Sequence, residues 1–181
     1  PFQIAFILMN IPALFNRDDT SRELVDLIWF PTGGGKTEAY LGAAAYSLFV
    51  RRLRNAGDVG TEILMRYTLR LLTAQQFQRA SGLICAMESI RRDMPEVLGG
   101  DPFSIGIWVG SETTPNSISD ARVRLNDTRR FGQEKYPLVL LRCPWCGTEI
   151  GPKEDPNKGK KKYLLQGVNS ADLKLFCPER S

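Results

Sequence analysis

Short apolar runs of strand length alternate with longer helix-forming segments along this 181-residue chain. The runs hold contiguous Val, Leu, Ile and aromatic residues, a pattern typical of strands that are buried on both faces. We predict four strands, at residues 25–30, 61–68, 103–109 and 136–142. Residues 36–54 are rich in Ala and Leu and free of Pro, and 73–92 repeat apolar residues every three or four positions, so both are predicted helices. This alternation predicts an α/β fold with a mostly parallel sheet and helices on both faces.

The remaining segments are less regular. Residues 2–15 are apolar at helical spacing, and we predict a helix that ends near Asn10 or before Pro12. A short helix is predicted at 117–125. The Pro-, Gly- and Lys-rich stretch 151–162 predicts a mobile, solvated loop.

One stretch, VDLIWFPTGGGKTEAYL at residues 25–41, places a predicted strand, three glycines, Lys36-Thr37 and a predicted helix in succession. Strand, glycine loop and helix in this order are typical of a triphosphate-binding loop, because glycines let several backbone N–H groups converge on one anion and the helix N-terminus adds its dipole. The common pattern has a glycine five positions before Gly35, where this chain has Phe30. The alternative is a flexible Gly-Gly-Gly turn followed by an exposed helix start.

In such a loop the Lys36 amine would contact the β- and γ-phosphates of ATP, and the Thr37 hydroxyl would be a ligand of Mg²⁺. Lys36 and Thr37 are therefore the candidate catalytic residues. The predicted nucleotide-binding set is Thr32, Gly33, Gly34, Gly35, Lys36, Thr37 and Glu38, with Gln3. Gln3 is included because many helicases place a Gln upstream of the loop to recognise adenine; the alternative is a packing role on the first helix.

Phosphate loops serve many enzymes, so a second pattern is needed to identify a substrate. Helicases of superfamily 2 follow the next strand with a Thr-Arg-x-Leu-x-x-Gln type segment that holds a nucleic-acid backbone. Residues 66–76, RYTLRLLTAQQ, resemble it. Thr114-Pro115-Asn116 resembles a later Thr-Pro-Gly-Arg turn without its glycine and arginine. The predicted nucleic-acid contacts are Thr68, Arg70, Gln75 and Thr114; the alternative for Arg70 is a solvated charge at a helix start.

Two cysteines at Cys143-x-x-Cys146, in a tight Pro- and Gly-containing turn, predict two ligands of a zinc ion. The sequence has no histidine, and Cys177 is the candidate third ligand. We expect a structural Zn²⁺ site; a coincidental or redox-active cysteine pair is the alternative.

Composition changes this picture little. The hydrophobic content of 43% is enough for one core of ordinary size, and the net charge of +4 suits a polyanionic partner without identifying one. The sequence has no run of 18 apolar residues, so we predict no transmembrane helix. A cysteine knuckle in a chain with a nucleotide loop predicts a reducing cytoplasm. We expect both ends to be internal to a longer chain.

Together, WFPTGGGKTEAYLG, MRYTLRLLTAQQFQRA, PFSIGIWVG and CPWCG resemble the helicase subunits of the DISARM bacterial anti-phage defence system, a group of superfamily 2 DNA helicases. The resemblance implies a partial RecA-like ATP-binding domain at 1–142 and a truncated, zinc-ribbon-like insertion at 143–181. It also implies ATP and Mg²⁺ as cofactors beside the Zn²⁺ predicted from the cysteines, with DNA and another subunit of the same system as partners.

The sequence contains no Asp-Glu pair, although a working motor needs such a motif to hold Mg²⁺ and orient water. We therefore predict an ATP-dependent helicase or translocase in the full-length parent, with little or no hydrolysis by this segment alone. The alternatives are a non-catalytic, zinc-bearing nucleic-acid-binding module and a phosphate-loop ATPase without a nucleic-acid role.

Overall fold

The structure is a computed structural model that describes residues 2–29, 31, 33–67, 70–111, 113–157 and 162–180, with the backbone alone for 70–73 and 180. Its α-helices in chain order are α1 (Phe2–Phe15), α2 (Lys36–Arg54), α3 (Arg70–Asp93), α4 (Pro95–Leu98) and α5 (Ile118–Phe131). Short 3-10 helices cover Thr20–Glu23, Gly132–Lys135 and Pro178–Arg180.

All strands in the described part of the chain follow these α-helices and are short. They are β1 (Gly151–Glu154), β2 (Tyr163–Gln166), β3 (Val168–Asn169) and β4 (Lys174–Leu175). β1 pairs antiparallel with β2, with Gly151 opposite Gln166 and Glu154 opposite Tyr163. β3 pairs antiparallel with β4 in a separate two-stranded sheet.

The predicted α/β fold with a mostly parallel, RecA-like sheet is therefore wrong. The described residues form five α-helices and two small antiparallel sheets, and the predicted strands near 25–30, 61–68 and 103–109 contain no strand in their described residues. Some of their largest apolar side chains face solvent: Val25 is 95% exposed, Trp29 90% and Trp108 98%. Contiguous apolar residues indicate a tendency to form strands, but a strand also needs a hydrogen-bonded neighbour, which the described residues of these segments do not have.

The chain divides into two compact units. Unit 1 comprises Pro1–Thr68 and Ala80–Ile105, and unit 2 comprises Leu69–Arg79 and Gly106–Ser181. The charge is divided unevenly between them, since unit 2 has fifteen Lys and Arg residues against nine Asp and Glu, whereas unit 1 has nine against eleven. The net positive charge of the chain therefore belongs to unit 2.

Unit 1 is organised by the packing of α1 on α2. Gly42 allows this close approach, because a Cβ atom at its position would lie 2.5 Å from Cδ1 of Ile7. Phe6 and Tyr40 add an edge-to-face contact with ring centroids 6.5 Å apart. The pair of helices therefore fixes the start of α1 relative to the start of α2.

A partly buried ionic cluster holds the end of α3 in unit 1. The Glu88 carboxylate accepts hydrogen bonds from Arg91 at 2.7 and 2.8 Å and from Arg92 at 3.1 Å. It also accepts the backbone N–H of Phe103 at 3.1 Å, which ties the segment after α4 to α3. These donors, led by Arg91, lower the pKa of Glu88 to about 2.

Unit 2 has its own small core. Buried Leu125 of α5 lies with Cys143, Ile150 and Val168, and partly buried residues from the strands and from 136–138 pack around them. Burial also raises the pKa of Tyr136 to about 12. The core of unit 2 thus includes one of the predicted metal ligands.

Among the described residues, no helix is both long enough and apolar enough to cross a membrane.

Candidate functional site

The predicted phosphate loop forms a turn that leads directly into α2. Gly33 and Gly35 have φ values of +87° and +80°, in the left-handed region that glycine adopts without strain. The Gly34 N–H donates to the Pro31 carbonyl at 3.2 Å, and Gly35 caps α2. The chain therefore reverses over three glycines, and Lys36 and Thr37 become the first two residues of a 19-residue helix.

Gln3 lies against this loop. Its side-chain amide Nε2 donates to the Gly34 carbonyl at 3.1 Å, across 31 positions of sequence. A Cβ atom at position 35 would lie 2.3 Å from the same Nε2, so the contact requires glycine there. The structure thus brings together Gln3 and the glycine loop (residues 33–35), two of the sequence-predicted elements.

The other predicted nucleotide contacts lie at the start of α2. The Lys36 amine donates to the Pro31 carbonyl at 3.2 Å, so the side chain folds back over the loop. Thr37 is half-buried and Glu38 is exposed. Thr32 lies outside the described residues. No buried strand precedes the loop within the described residues, since Leu27 and Trp29 are largely exposed.

The structure describes the side chains of two of the predicted nucleic-acid residues, Gln75 and Thr114, and no hydrogen bond joins these two. Thr68 lies outside the described residues, and Arg70 is the first residue of α3, with only its backbone described. Gln75 is exposed on α3. Thr114 is half-buried in a turn, with its N–H donating to the Gly110 carbonyl at 3.2 Å. Unit 2, which carries a net positive charge, contains Arg70, Gln75 and Thr114.

The Cys143-x-x-Cys146 segment forms a tight knuckle. Arg142 and Glu149 form an isolated antiparallel bridge, and the Cys143 N–H donates to the Thr148 carbonyl at 2.8 Å. The chain reverses at Gly147, which has φ +79° and donates its N–H to the Cys143 carbonyl at 2.9 Å. The turn places both cysteine side chains at the same end of the knuckle.

Cys177 completes the group. It follows β4, where the Phe176 N–H donates to the Gly167 carbonyl at 3.0 Å, and its Sγ lies 3.4 Å from Sγ of Cys146. The sulfur atoms of Cys143, Cys146 and Cys177, hereafter the cysteine cluster, all lie within 4.8 Å of one another. Three thiolates at this separation fit the S-ligand chemistry of a tetrahedral Zn²⁺ ion. The predicted grouping of these three cysteines as potential metal ligands is confirmed.

The environment of the cluster favours the thiolate at one position. Hydrogen bonds between Cys146 and Thr148, through both the side chain and the backbone of Thr148, lead the effects that lower the pKa of Cys146 to about 7. At Cys177, burial is the main effect and raises the pKa of the thiol. Because the thiolate is the form that binds metal, Cys146 is more readily available as a ligand at neutral pH than Cys177.

Thr148 is a site residue that was not predicted from the sequence. Its Oγ1 lies 3.3 Å from Sγ of Cys146, where it orients the sulfur. A hydroxyl residue two positions after a knuckle cysteine was the available signal. A threonine at that spacing is common in turns and carries little information without coordinates.

Comparison with known proteins adds a relative. The chain is 40% identical, over 192 aligned positions, to the DISARM protein DrmA of Bacillus paralicheniformis. The alignment covers 100% of this chain and 16% of the relative. No protein-family model matches the chain. The predicted relationship to DISARM proteins is confirmed: along its whole length, the chain is similar to a segment of a DISARM protein.

Proposed function

We propose that this chain is a segment of an anti-phage defence protein that uses ATP to act on DNA, as a helicase or translocase. Loop residues 33–37 bind the triphosphate, and the cysteine cluster holds a structural Zn²⁺. The observation that carries the proposal is the glycine loop with Lys36 at the start of α2 and Gln3 against it. Similarity to a DISARM protein supports the biological setting.

The loop supports phosphate binding through its local geometry. Left-handed Gly33 and Gly35 leave the backbone free of side chains at the turn, and the N-terminus of a 19-residue helix provides backbone N–H groups and a favourable dipole. Lys36 is the only lysine in unit 1 and stands at this helix start. In the proposed complex its amine moves from the Pro31 carbonyl to the β- and γ-phosphates, while Thr37 contributes its hydroxyl to Mg²⁺.

DNA binding is supported by the distribution of charge. The net positive unit 2 contains the sequence-predicted contacts Arg70, Gln75 and Thr114. Cations near a backbone-binding segment contribute salt-dependent affinity for phosphates. We propose that Arg70 and Thr114 contact phosphate oxygens, with Gln75 on the same strand of DNA.

The test is ATP hydrolysis by the full-length protein, with and without DNA. Lys36→Ala is expected to abolish DNA-stimulated hydrolysis while leaving DNA binding intact, because the substitution removes the phosphate-binding cation. Lys135→Ala is the matched control, since Lys135 is exposed and lies in unit 2. Unchanged turnover in Lys36→Ala would refute the assignment of the loop.

A second candidate is a non-catalytic, metal-bearing binding module in which the loop serves as a simple anion site. The cysteine cluster favours it, as does the exposed segment that precedes the loop. The two candidates differ in one observable, since only the first predicts DNA-stimulated release of phosphate from ATP by the full-length protein.

A further inference from the structure

Helix α5 of unit 2 has three sides of different character. Residues four and seven positions apart lie on the same side of a helix. Ala121, Leu125 and Thr128 have this spacing and are buried, and Leu125 belongs to the core of unit 2. The charged residues of α5 therefore divide between its two remaining sides.

One of these sides contains both carboxylates of the helix. Asp120 forms an ion pair with Arg124 at 3.0 Å, and Asp127 follows on the same side, seven positions after Asp120. This side thus has one arginine against two carboxylates and no excess of positive charge.

The other side, hereafter the basic face, consists of Arg122, Asn126, Arg129 and Arg130. Arg122 and Arg130 are exposed, and Arg129 is half-buried. In the part of the chain that the structure describes, the arginine of α5 that forms an ion pair is Arg124. The positive charges of the basic face are therefore not compensated by a direct contact with a described carboxylate.

Neutral acceptors hold two of these arginines in place. The Arg122 guanidinium donates to the Ala171 carbonyl at 3.1 Å, and the Arg129 guanidinium donates to the Ser170 hydroxyl at 3.2 Å. The carboxylate of this turn, Asp172, accepts a hydrogen bond within the turn at 3.0 Å. A guanidinium has several N–H donors, so both arginines are positioned and still have donors for another acceptor.

We propose that the basic face of α5 binds the phosphate backbone of DNA. Guanidinium groups pair with phosphate oxygens through two parallel hydrogen bonds, and the Asn126 amide is a neutral donor to the same backbone. Contacts of this kind hold DNA without reading its sequence. The inference rests on the DNA-binding part of the proposed function, and it adds contacts on α5 that the helicase-like sequence patterns do not include.

The test is DNA binding by the full-length protein without nucleotide, measured by fluorescence anisotropy of a labelled duplex with a single-stranded end. The logarithm of the binding constant falls linearly with the logarithm of the salt concentration, with a slope of about 0.7–0.9 for each phosphate contact. Replacing Arg122, Arg129 and Arg130 together by glutamine removes their charges, so we expect the slope to become shallower by about 2–3.

Arg130→Gln alone is expected to make the slope shallower by about 0.7–0.9. The Arg130 side chain forms no hydrogen bond or ion pair with the described residues, so this single variant tests the basic face even if the triple variant does not fold.

The matched control replaces three exposed lysines of unit 2 outside α5, Lys135, Lys153 and Lys174, together by glutamine. It removes the same charge, and we expect it to change the slope by less than about 1. An equal change in the lysine and arginine variants would overturn the proposal, because binding would then follow net charge alone. An unchanged slope in the arginine variants would also overturn it and would favour an acidic protein as the partner of this face. Absence of DNA binding by the wild type would overturn the DNA-binding part of the proposed function, and this inference with it.

Discussion

Replacing Glu88 by glutamine is expected to destabilise unit 1 in a pH-dependent way. The carboxylate holds two arginines and the Phe103 N–H, and its side chain is 14% exposed. Glutamine still accepts one hydrogen bond but removes the carboxylate that Arg91, itself 10% exposed, contacts directly. The change therefore weakens the charge compensation of a poorly solvated cation, which keeps its hydrogen bond to the Gly99 carbonyl at 2.8 Å.

The magnitude follows from the pKa of Glu88, which falls from 4.5 to about 2 in the folded chain. A tenfold change in the proton-binding constant corresponds to about 1.4 kcal/mol, so this fall in pKa corresponds to about 3 kcal/mol. Solvent screening reduces the effect, and we therefore expect Glu88→Gln to lower the free energy of unfolding at pH 7 by about 2 kcal/mol. A lowered carboxylate pKa stabilises the fold above the unfolded value. The difference between wild type and variant should therefore be complete above about pH 4.5 and shrink as the pH falls toward 2.

The assay is urea denaturation followed by far-UV circular dichroism at pH 7 and at pH 3. Glu96→Gln is the matched control, because Glu96 is an exposed glutamate on neighbouring α4 and its replacement should change stability by less than about 0.5 kcal/mol. Equal stability of Glu88→Gln and wild type at pH 7 would refute the argument. So would a difference at pH 3 as large as the difference at pH 7.

Three further perturbations test the packing and the metal site. Gly42→Val should destabilise unit 1 by about 1–3 kcal/mol, because the added side chain would force the Ile7 side chain aside. Thermal denaturation measures this with Gly57→Ala as the control, and equal melting temperatures would contradict the close α1–α2 contact. Gly132→Ala should destabilise unit 2 by about 2 kcal/mol, because φ is +70° and the added Cβ would lie 2.7 Å from the Tyr163 ring, and an unchanged midpoint in urea would contradict this. Removal of Zn²⁺ with a chelator should lower the melting temperature of unit 2. In a Cys143→Ser variant, which lacks one ligand, the chelator should not change the melting temperature. An unchanged melting temperature of the wild type on chelation would contradict a structural metal.

Local sequence signals predicted the helices well. Residues 36–54 were predicted helical and form α2 with those bounds. Helix α1 continues past the predicted stop at Pro12, because the Pro12 carbonyl still accepts the Asn16 N–H at 2.8 Å. Proline has no N–H, so the helical hydrogen bond from residue 12 to the Leu8 carbonyl is lost. Leu8 is an exposed residue of the helix. Helical hydrogen bonds join near neighbours, so a short window of sequence contains most of what decides them.

The strands were predicted poorly for the opposite reason. The run at 25–30 has the composition of a buried strand, yet Trp29 is 90% exposed and lies outside any strand. Conversely, 151–162 was predicted to be a loop, but its first four residues form β1 against Tyr163–Gln166. Pairing depends on segments far away in sequence, which composition does not specify.

For the candidate site, the identity of the metal-binding residues could be predicted from the sequence more readily than the contacts around them. The spacing of Cys143 and Cys146 and the choice of Cys177 identified the cluster, because few residue types bind zinc and the chain has no histidine. The Thr148 contact and the position of Gln3 against Gly34 both depend on how distant backbones meet. The sequence could name Gln3 as a candidate but could not give its partner.

Mg-ATP binding by the full-length protein, measured by titration calorimetry, tests the proposed phosphate loop most directly. We expect one site in the wild type and in Lys135→Ala. In Lys36→Ala we expect the affinity to be weaker by roughly 10- to 100-fold, the loss expected for one charge-assisted contact to phosphate. Equal affinity in Lys36→Ala and wild type, with both proteins folded, would contradict the claim that residues 33–37 hold the triphosphate.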